Sequence, residues 1–560
     1  MANNKAKRMG SLGVVLSILL SGATAPAVQP GREPLTQGQE NSVFQYAISN
    51  PGYNAFLWIP PNCTQVRGLV IDKWNYFDEA LVQDPLIRKA CQDENLGLVC
   101  LLATTPEMHQ TISFFEPKEK AAEVLLKALS DLAKESGYKE IASAPIFTIG
   151  HSYSGGFSWR CAAWDRNRVF GALAIKTGCW DTKNPGDNME GVPVLNLVGQ
   201  YSEWGSGDGY GEPFGDAVEA LAMRRNPKHL TAFAVEWGGG HFEWSENCAR
   251  LASLFIRKAA KARLPDQAPS EGPVKLKEID PSSGWLMRPY FYPAGPMHPY
   301  PAKEFPQDKR AACWYFDGEF ANACRDFTAE QRSRKIQKLS FMREGKPVGY
   351  ADHIVDKTGL QYWGELVPES DGITYRFNAG FLDTMPARFP RAGEPLGHAP
   401  GPVQIICDVG PFEPVGDGAF RLKFSRISYL NPVVGFHASH PGNKEYAASV
   451  APIQAAALKK NTEGKPQRIT FAEIPDVKLG TQEIKLQAVS DSGEKVEYFV
   501  LAGPAVSHDG NFLRLTEIPP RSKFPVKVTV VAWQFGRSTE PKLQTAEMVE
   551  RSCYIMKDTP

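Results

Sequence analysis

Between about residues 42 and 262, short apolar runs alternate with stretches of helical period. Val43 to Ile48 and Ala55 to Ile59 read as two strands joined by the turn Asn50-Pro51-Gly52. Gly68 to Ile71 and Leu98 to Leu102 read as buried strands, with a helical stretch from Leu86 to Asp93 between them. Over Lys118 to Ser136, the residues Leu125, Leu129 and Leu132 share one face and Gly137 is placed to cap the end, which predicts a helix. Further strands are predicted at Ile146 to Ile149, Gly171 to Ile175, Val194 to Val198 and Leu230 to Val235. Strands that alternate with helices predict a mostly parallel sheet covered on both faces.

After Leu264 to Pro273, a stretch rich in Pro, Ala and Gly, the texture changes. Lys338 to Met342, Ile373 to Phe377, Val403 to Cys407 and Phe420 to Phe424 alternate apolar and polar residues, the pattern of antiparallel sandwiches. A helix is expected near Phe320 to Lys335, and Ile469 to Ile555 is again all-β. The segment Gln467 to Ala505 resembles the immunoglobulin-like repeats of secreted bacterial proteins. The landmarks are Ile469, Phe471, Pro475, Asp476, Gly480, Ser492-Gly493, Val496 to Tyr498 and Gly503-Pro504-Ala505. The resemblance implies a spacer or adhesion module. The expected organisation is therefore multidomain: an α/β domain at 38–264, a linker at 265–274, and two all-β sandwich-like domains at 275–461 and 466–556.

The 560 residues exceed what one core organises. Lys plus Arg equal Asp plus Glu at 62 each, which argues against a nucleic-acid partner, since that calls for a basic stripe. At the N-terminus, Lys5, Lys7 and Arg8 precede a short apolar run, Gly10 to Leu20, and Ala25 and Ala27 follow at signal-peptidase spacing. Residues 1–27 are thus expected to be an export signal cleaved before Val28, making the protein secreted or periplasmic with no membrane span. Ten cysteines fit an oxidising compartment, although Cys100 and Cys407 sit in apolar runs and read as buried thiols. No HExxH or phosphate-loop pattern occurs, so neither a metal nor a cofactor is expected.

The chemistry centres on Ile146-Phe147-Thr148-Ile149-Gly150-His151-Ser152-Tyr153-Ser154-Gly155-Gly156, a strand running into a tight serine-bearing turn and then a helix. A nucleophile elbow needs that context, with small residues two positions either side of the serine. Gly150 and Ser154 meet the need, Ser154 standing where the usual pattern has glycine; a register with Ser154 as nucleophile loses Gly150. Downstream, the predicted strand Leu230 to Val235 leads into Glu236-Trp237-Gly238-Gly239-Gly240-His241, a glycine-rich loop that presents a candidate general base. Glu203 is the first carboxylate after the strand Val194 to Gly199 and is the candidate acid, with Asp208, Asp216 and Asp181 as alternatives. Aromatic residues crowd these loops, and Trp74, Trp180 and Trp204 are candidate substrate-binding rings.

Taken together, residues 42–262 resemble the α/β-hydrolase superfamily, especially secreted bacterial esterases. The resemblance implies acyl transfer through a serine ester: Ser152 attacks, His241 carries the proton, and Glu203 holds His241. It also implies an oxyanion hole built from backbone N–H groups, one from Tyr153 and one from the loop Asp72-Lys73-Trp74-Asn75-Tyr76. That loop lacks the His-Gly often found in the superfamily, which leaves Asn75 or Tyr76 as the second donor. The expected partner is an ester, with a polysaccharide-linked acyl group favoured by export, appended β-modules and aromatic loops. A peptidase or lipase of the same fold, and a catalytically silent surface or binding protein, are the competing readings.

Overall fold

A computed structural model describes residues 37–177, 189–200, 224, 226–266, 272–289, 297–331, 333–351, 359–387, 389 and 391–557. Its central element is an eight-stranded sheet: β1 Tyr46–Asn50, β2 Tyr53–Trp58, β3 Gly68–Lys73, β4 Leu96–Ala103, β5 Ile146–His151, β6 Val169–Ile175, β7 Pro193–Gly199 and β8 Leu230–Glu236. The order is β1-β2-β4-β3-β5-β6-β7-β8, with β1 and β2 antiparallel additions to a parallel block of six. This is the α/β-hydrolase fold, as expected.

Alternation along the strands fills both faces. Val70, Phe147, Ile149 and Leu173 face the helices Pro85–Asp93 and Glu246–Arg263, meeting Ile87, Cys91, Phe255 and Ile256. Leu69, Ile71, Ala172 and Ala174 face the helices Lys118–Ser136 and Gly155–Trp164, meeting Leu125, Leu129 and Phe157. The helix Lys118–Ser136 ends as its sequence predicts: Gly137, at φ 84°, donates to the carbonyl of Ala133.

The chain beyond residue 284 starts with a small sheet, Trp285–Met287 between Tyr300–Pro301 and Cys313–Tyr315, followed by the helix Gly318–Ala329. Asp317 caps that helix by accepting from Phe320 N, so it begins two residues before the expected Phe320 and stops well short of Lys335. This segment borders β8: Thr328 Oγ1 accepts from Val235 N at 3.0 Å, and Tyr315 Oη donates to Phe233 O at 3.1 Å. Backbone groups that an edge strand leaves open are thereby satisfied.

The remainder is β-rich. A four-stranded sheet runs Gln361–Gly364, Ser449–Ala455, Val434–His440, Gln404–Val409, beside two three-stranded sheets. The last part holds a four-stranded sheet, Val477–Lys478, Val549–Met556, Val526–Trp533, Glu497–Ala502, with sheets of three and two strands. Its apolar residues are not separate from the core of the eight-stranded sheet. Ile469, Tyr498, Val528 and Ile555 belong to the same buried cluster as Leu129, Tyr138 and Ile146. Polar contacts stitch the same seam: Lys523 N donates to Ser136 O at 2.9 Å, and Arg521 Nη1 pairs with Glu140 Oε1 at 3.0 Å.

Nine cysteines are described and all nine are free thiols, eight of them buried, Cys100 included. Residues 1–27, the expected export signal, lie outside the described residues. No helix among the described residues is long and apolar enough to cross a membrane.

Candidate active site

β5 ends at His151, and Ser152 then takes φ 51°, a left-handed backbone rare for a side-chain-bearing residue. A short turn, Ser152–Ser154, leads into the helix Gly155–Trp164. The turn is so sharp that a Cβ on Gly150 would lie 2.1 Å from the carbonyl oxygen of Ser154, which is why only glycine fits there. The alternative register is removed: Ser154 is buried, at φ −85°, and its Oγ shares a 3.0 Å hydrogen bond with Ser113 Oγ.

His241 arrives from the loop after β8. Ser245 closes that loop by capping the helix Glu246–Arg263, its Oγ accepting from Cys248 N at 3.0 Å. The structure brings the two side chains together: Ser152 Oγ lies 2.6 Å from His241 Nε2. The residue before the serine helps to place His241. His151 Nε2 is 2.8 Å from the carbonyl oxygen of His241, and because a carbonyl only accepts, the proton of His151 is on Nε2. Burial, with His241 nearby, holds the pKa of His151 far below the ordinary histidine value, so the ring is neutral.

Beneath the loop lies a buried ion cluster that the sequence did not disclose. Lys176, at the end of β6, places Nζ 3.0 Å from Glu236 Oε2 and 2.8 Å from Glu243 Oε1. Burial opposes its charge, but Glu236 and Glu243 outweigh that and hold its pKa above the ordinary lysine value. Glu243 Oε1 also accepts from Gly240 N, and Gln200 Oε1 accepts from Gly238 N at 2.6 Å, so both glycines flanking the turn are tethered. A lysine closing an apolar strand was the only available sequence signal, and its carboxylate partners lie far along the chain, beyond any local pattern.

The β-rich part reaches the back of the same loop. Phe242 packs its ring 4.7 Å from His241 and 5.1 Å from Tyr76. Tyr76 in turn abuts Val434–His440, where a Cβ on Gly435 would fall 1.6 Å from Tyr76 Oη.

Two sequence expectations change. Asn75 N and Tyr76 N both donate to Asp78 Oδ2, at 2.8 and 2.7 Å, and Trp74 N donates to Leu101 O at 3.1 Å. Those N–H groups are spent inside the protein, so neither the Asn75 nor the Tyr76 backbone is offered to a substrate oxygen. Trp74 is 2% exposed and presents no face to a ligand. The exposed ring at the elbow is that of Tyr153, 40% exposed and flanked by His109 at 5.1 Å and Phe114 at 4.5 Å. Tyr153 opens a helical turn, where backbone N–H groups have no carbonyl one turn back. Glu203, Trp180 and Trp204, like Asp181, Asp208 and Asp216, lie outside the described residues.

No protein-family model matches the chain, and no curated protein sequence is similar to it. Solved structures are similar to part of the chain. A poly(3-hydroxybutyrate) depolymerase, LpqC, from Bordetella parapertussis is 14% identical over 42% of this chain and 97% of its own, at a TM-score of 0.28. The BES protein from Bacillus cereus is 12% identical over 41% and 98%, at 0.29. A soluble variant of monoglyceride lipase from Saccharomyces cerevisiae is 13% identical over 42% and 98%, at 0.27.

Proposed function

We propose that the chain is a serine hydrolase that cleaves carboxylic esters, with Ser152 as nucleophile, His241 as general base and Glu203 as the acid that orients His241. The observation that carries this reading is the 2.6 Å contact from His241 Nε2 to a serine held at left-handed φ on a strand-to-helix elbow. Strain of this kind is retained where function requires it.

In the reaction, Ser152 Oγ forms a bond to the ester carbonyl carbon while its proton passes to His241 Nε2. The carbonyl π pair moves onto oxygen, and the Tyr153 N–H stabilises that charge. Collapse breaks the bond to the alkoxy oxygen, which leaves with the proton from His241. Water, deprotonated by His241, then attacks the acyl-enzyme, and release of the acid returns the proton to Ser152.

Within this reading the substrate is an acyl ester carried by a larger molecule met outside the cytoplasm, a polysaccharide being favoured. The support is the N-terminal pattern of residues 1–27 and the exposed Tyr153 ring beside the nucleophile, a surface on which a sugar or aryl acid can stack. One observation favours the silent binding protein instead: Asp78 occupies the backbone donors of Asn75 and Tyr76.

A fluorophosphonate probe on protein beginning at Val28, with peptide mass spectrometry, decides between them. Label on Ser152 that disappears in His241→Ala, together with turnover of p-nitrophenyl esters, is the expected result. Folded protein that takes no label overturns the enzyme reading in favour of binding, and turnover of peptides alone replaces ester with amide.

A further inference from the structure

The elbow supplies one oxyanion donor, Tyr153 N–H, and a tetrahedral oxyanion needs a second. The loop after β3 is where the fold offers it, yet its three N–H groups at Trp74, Asn75 and Tyr76 are bonded to Leu101 O and Asp78 Oδ2. Asp78 itself is fully buried and sits on a chain that cannot shift without losing both bonds.

The side chain of Asn75 is left. It is half-buried, and its Nδ2 lies 3.2 Å from the carbonyl oxygen of His151. That carbonyl belongs to the peptide joining His151 to Ser152, so standard bond lengths put Nδ2 within about 6 Å of the Ser152 Cα. The orientation of the amide is settled by its partner: a carbonyl accepts only, so nitrogen rather than oxygen faces His151. An amide nitrogen carries two hydrogens about 120° apart, and His151 uses one of them.

We infer that Asn75 Nδ2, not a backbone N–H, is the second oxyanion donor of this site. The inference rests on the serine-hydrolase reading above. It also explains Asp78, which fixes the stem of the Asn75 side chain by gripping the backbone of Asn75 and Tyr76, while His151 O fixes its tip. A donor tethered at both ends needs no reorganisation as charge develops on the substrate oxygen. The loop dispenses with His-Gly because a side chain replaces the backbone group that glycine would free.

The test compares the parent with Asn75→Ala and Asn75→Asp, the second keeping the shape of the side chain while replacing the donor by an acceptor. On a p-nitrophenyl ester, both variants lower kcat by about a hundredfold to a thousandfold with KM changed by less than about threefold. Affinity for a trifluoromethyl ketone, which forms the tetrahedral adduct, falls by the same factor as kcat/KM. A structural role alone leaves those two quantities uncoupled. Variants that melt cooperatively and keep kcat within about threefold of the parent overturn the assignment. Should the variants fail to fold, the parent decides: in a crystal structure of its Ser152 phosphonate adduct the phosphonyl oxygen accepts from Asn75 Nδ2, and an oxygen turned to another donor overturns the assignment. A parent that takes no probe at Ser152 fails the enzyme reading itself, an outcome distinct from a labelled parent whose Asn75 variants are unimpaired.

Discussion

His151 donates from Nε2 to the carbonyl oxygen of His241 at 2.8 Å, so the residue that precedes Ser152 holds the loop that carries His241. Phe77, with its ring 4.0 Å away, keeps the imidazole in place. Ser152 and His241 are thus registered against each other through backbone as well as side chain.

Replacing His151 by Phe keeps the packing against Phe77 and deletes the bond. The rate of phosphonate labelling at Ser152 is expected to fall by about tenfold to a hundredfold, because small losses of alignment are costly in this step. Thermal unfolding measured alongside separates this from loss of fold.

Ser154→Ala tests the register of the elbow. The variant loses only the hydrogen bond to Ser113 Oγ, so it gives up about 1 kcal/mol of stability and retains Ser152 labelling. Gly150→Ala, by contrast, collides with backbone and is expected not to fold at the elbow, with labelling abolished.

Removal of the Lys176 ammonium leaves Glu236 and Glu243 buried side by side. Lys176→Met is expected to lose about 3–5 kcal/mol at neutral pH in denaturant titrations. Burial already raises the Glu243 pKa, Lys176 lowers it, and deleting the lysine raises it further. The folded protein then holds a proton that the unfolded chain releases, so the deficit is greatest above neutrality and shrinks as the pH falls and Glu243 protonates.

Gly435 lies in the β-rich part, far along the chain from Ser152, yet Gly435→Ala is expected to impair catalysis by pushing Tyr76 against Phe242 and so against His241. Adding Tyr76→Phe removes the nearest clashing atom and is expected to restore part of the lost kcat. Tyr76→Phe alone is near neutral or stabilising, since the buried Tyr76 Oη has no hydrogen-bond partner among the described residues. A double-mutant cycle on kcat reads the coupling.

What is legible in the sequence follows from range. The elbow, the glycine-rich loop and the helix Lys118–Ser136 are encoded within short windows, where steric need and periodicity speak directly. Strand order is not: nothing in the hydropathy of Leu96–Ala103 says that it pairs with Tyr53–Trp58 on one side and Gly68–Lys73 on the other. The sequence points to Asn75 as the second oxyanion donor but to its backbone N–H rather than its side chain, for a local reason of a different sort. A carboxylate at Asp78 reaches back to two N–H groups, and recognising that requires the turn, not the residue types. Lys176 is invisible because its meaning lies in Glu236 and Glu243. Compositional breaks make the β-rich segments look like separate modules, while their apolar positions join the buried cluster of the eight-stranded sheet.

That shared core has a consequence for the order of synthesis. Ser152, Glu203 and His241 have all left the ribosome once His241 has, yet the buried cluster that holds Leu129 and Ile146 still lacks Val528 and Ile555. More than half of the 560 residues follow His241 in the sequence. The shared cluster is complete only once the last described strand, Val549–Met556, has been made.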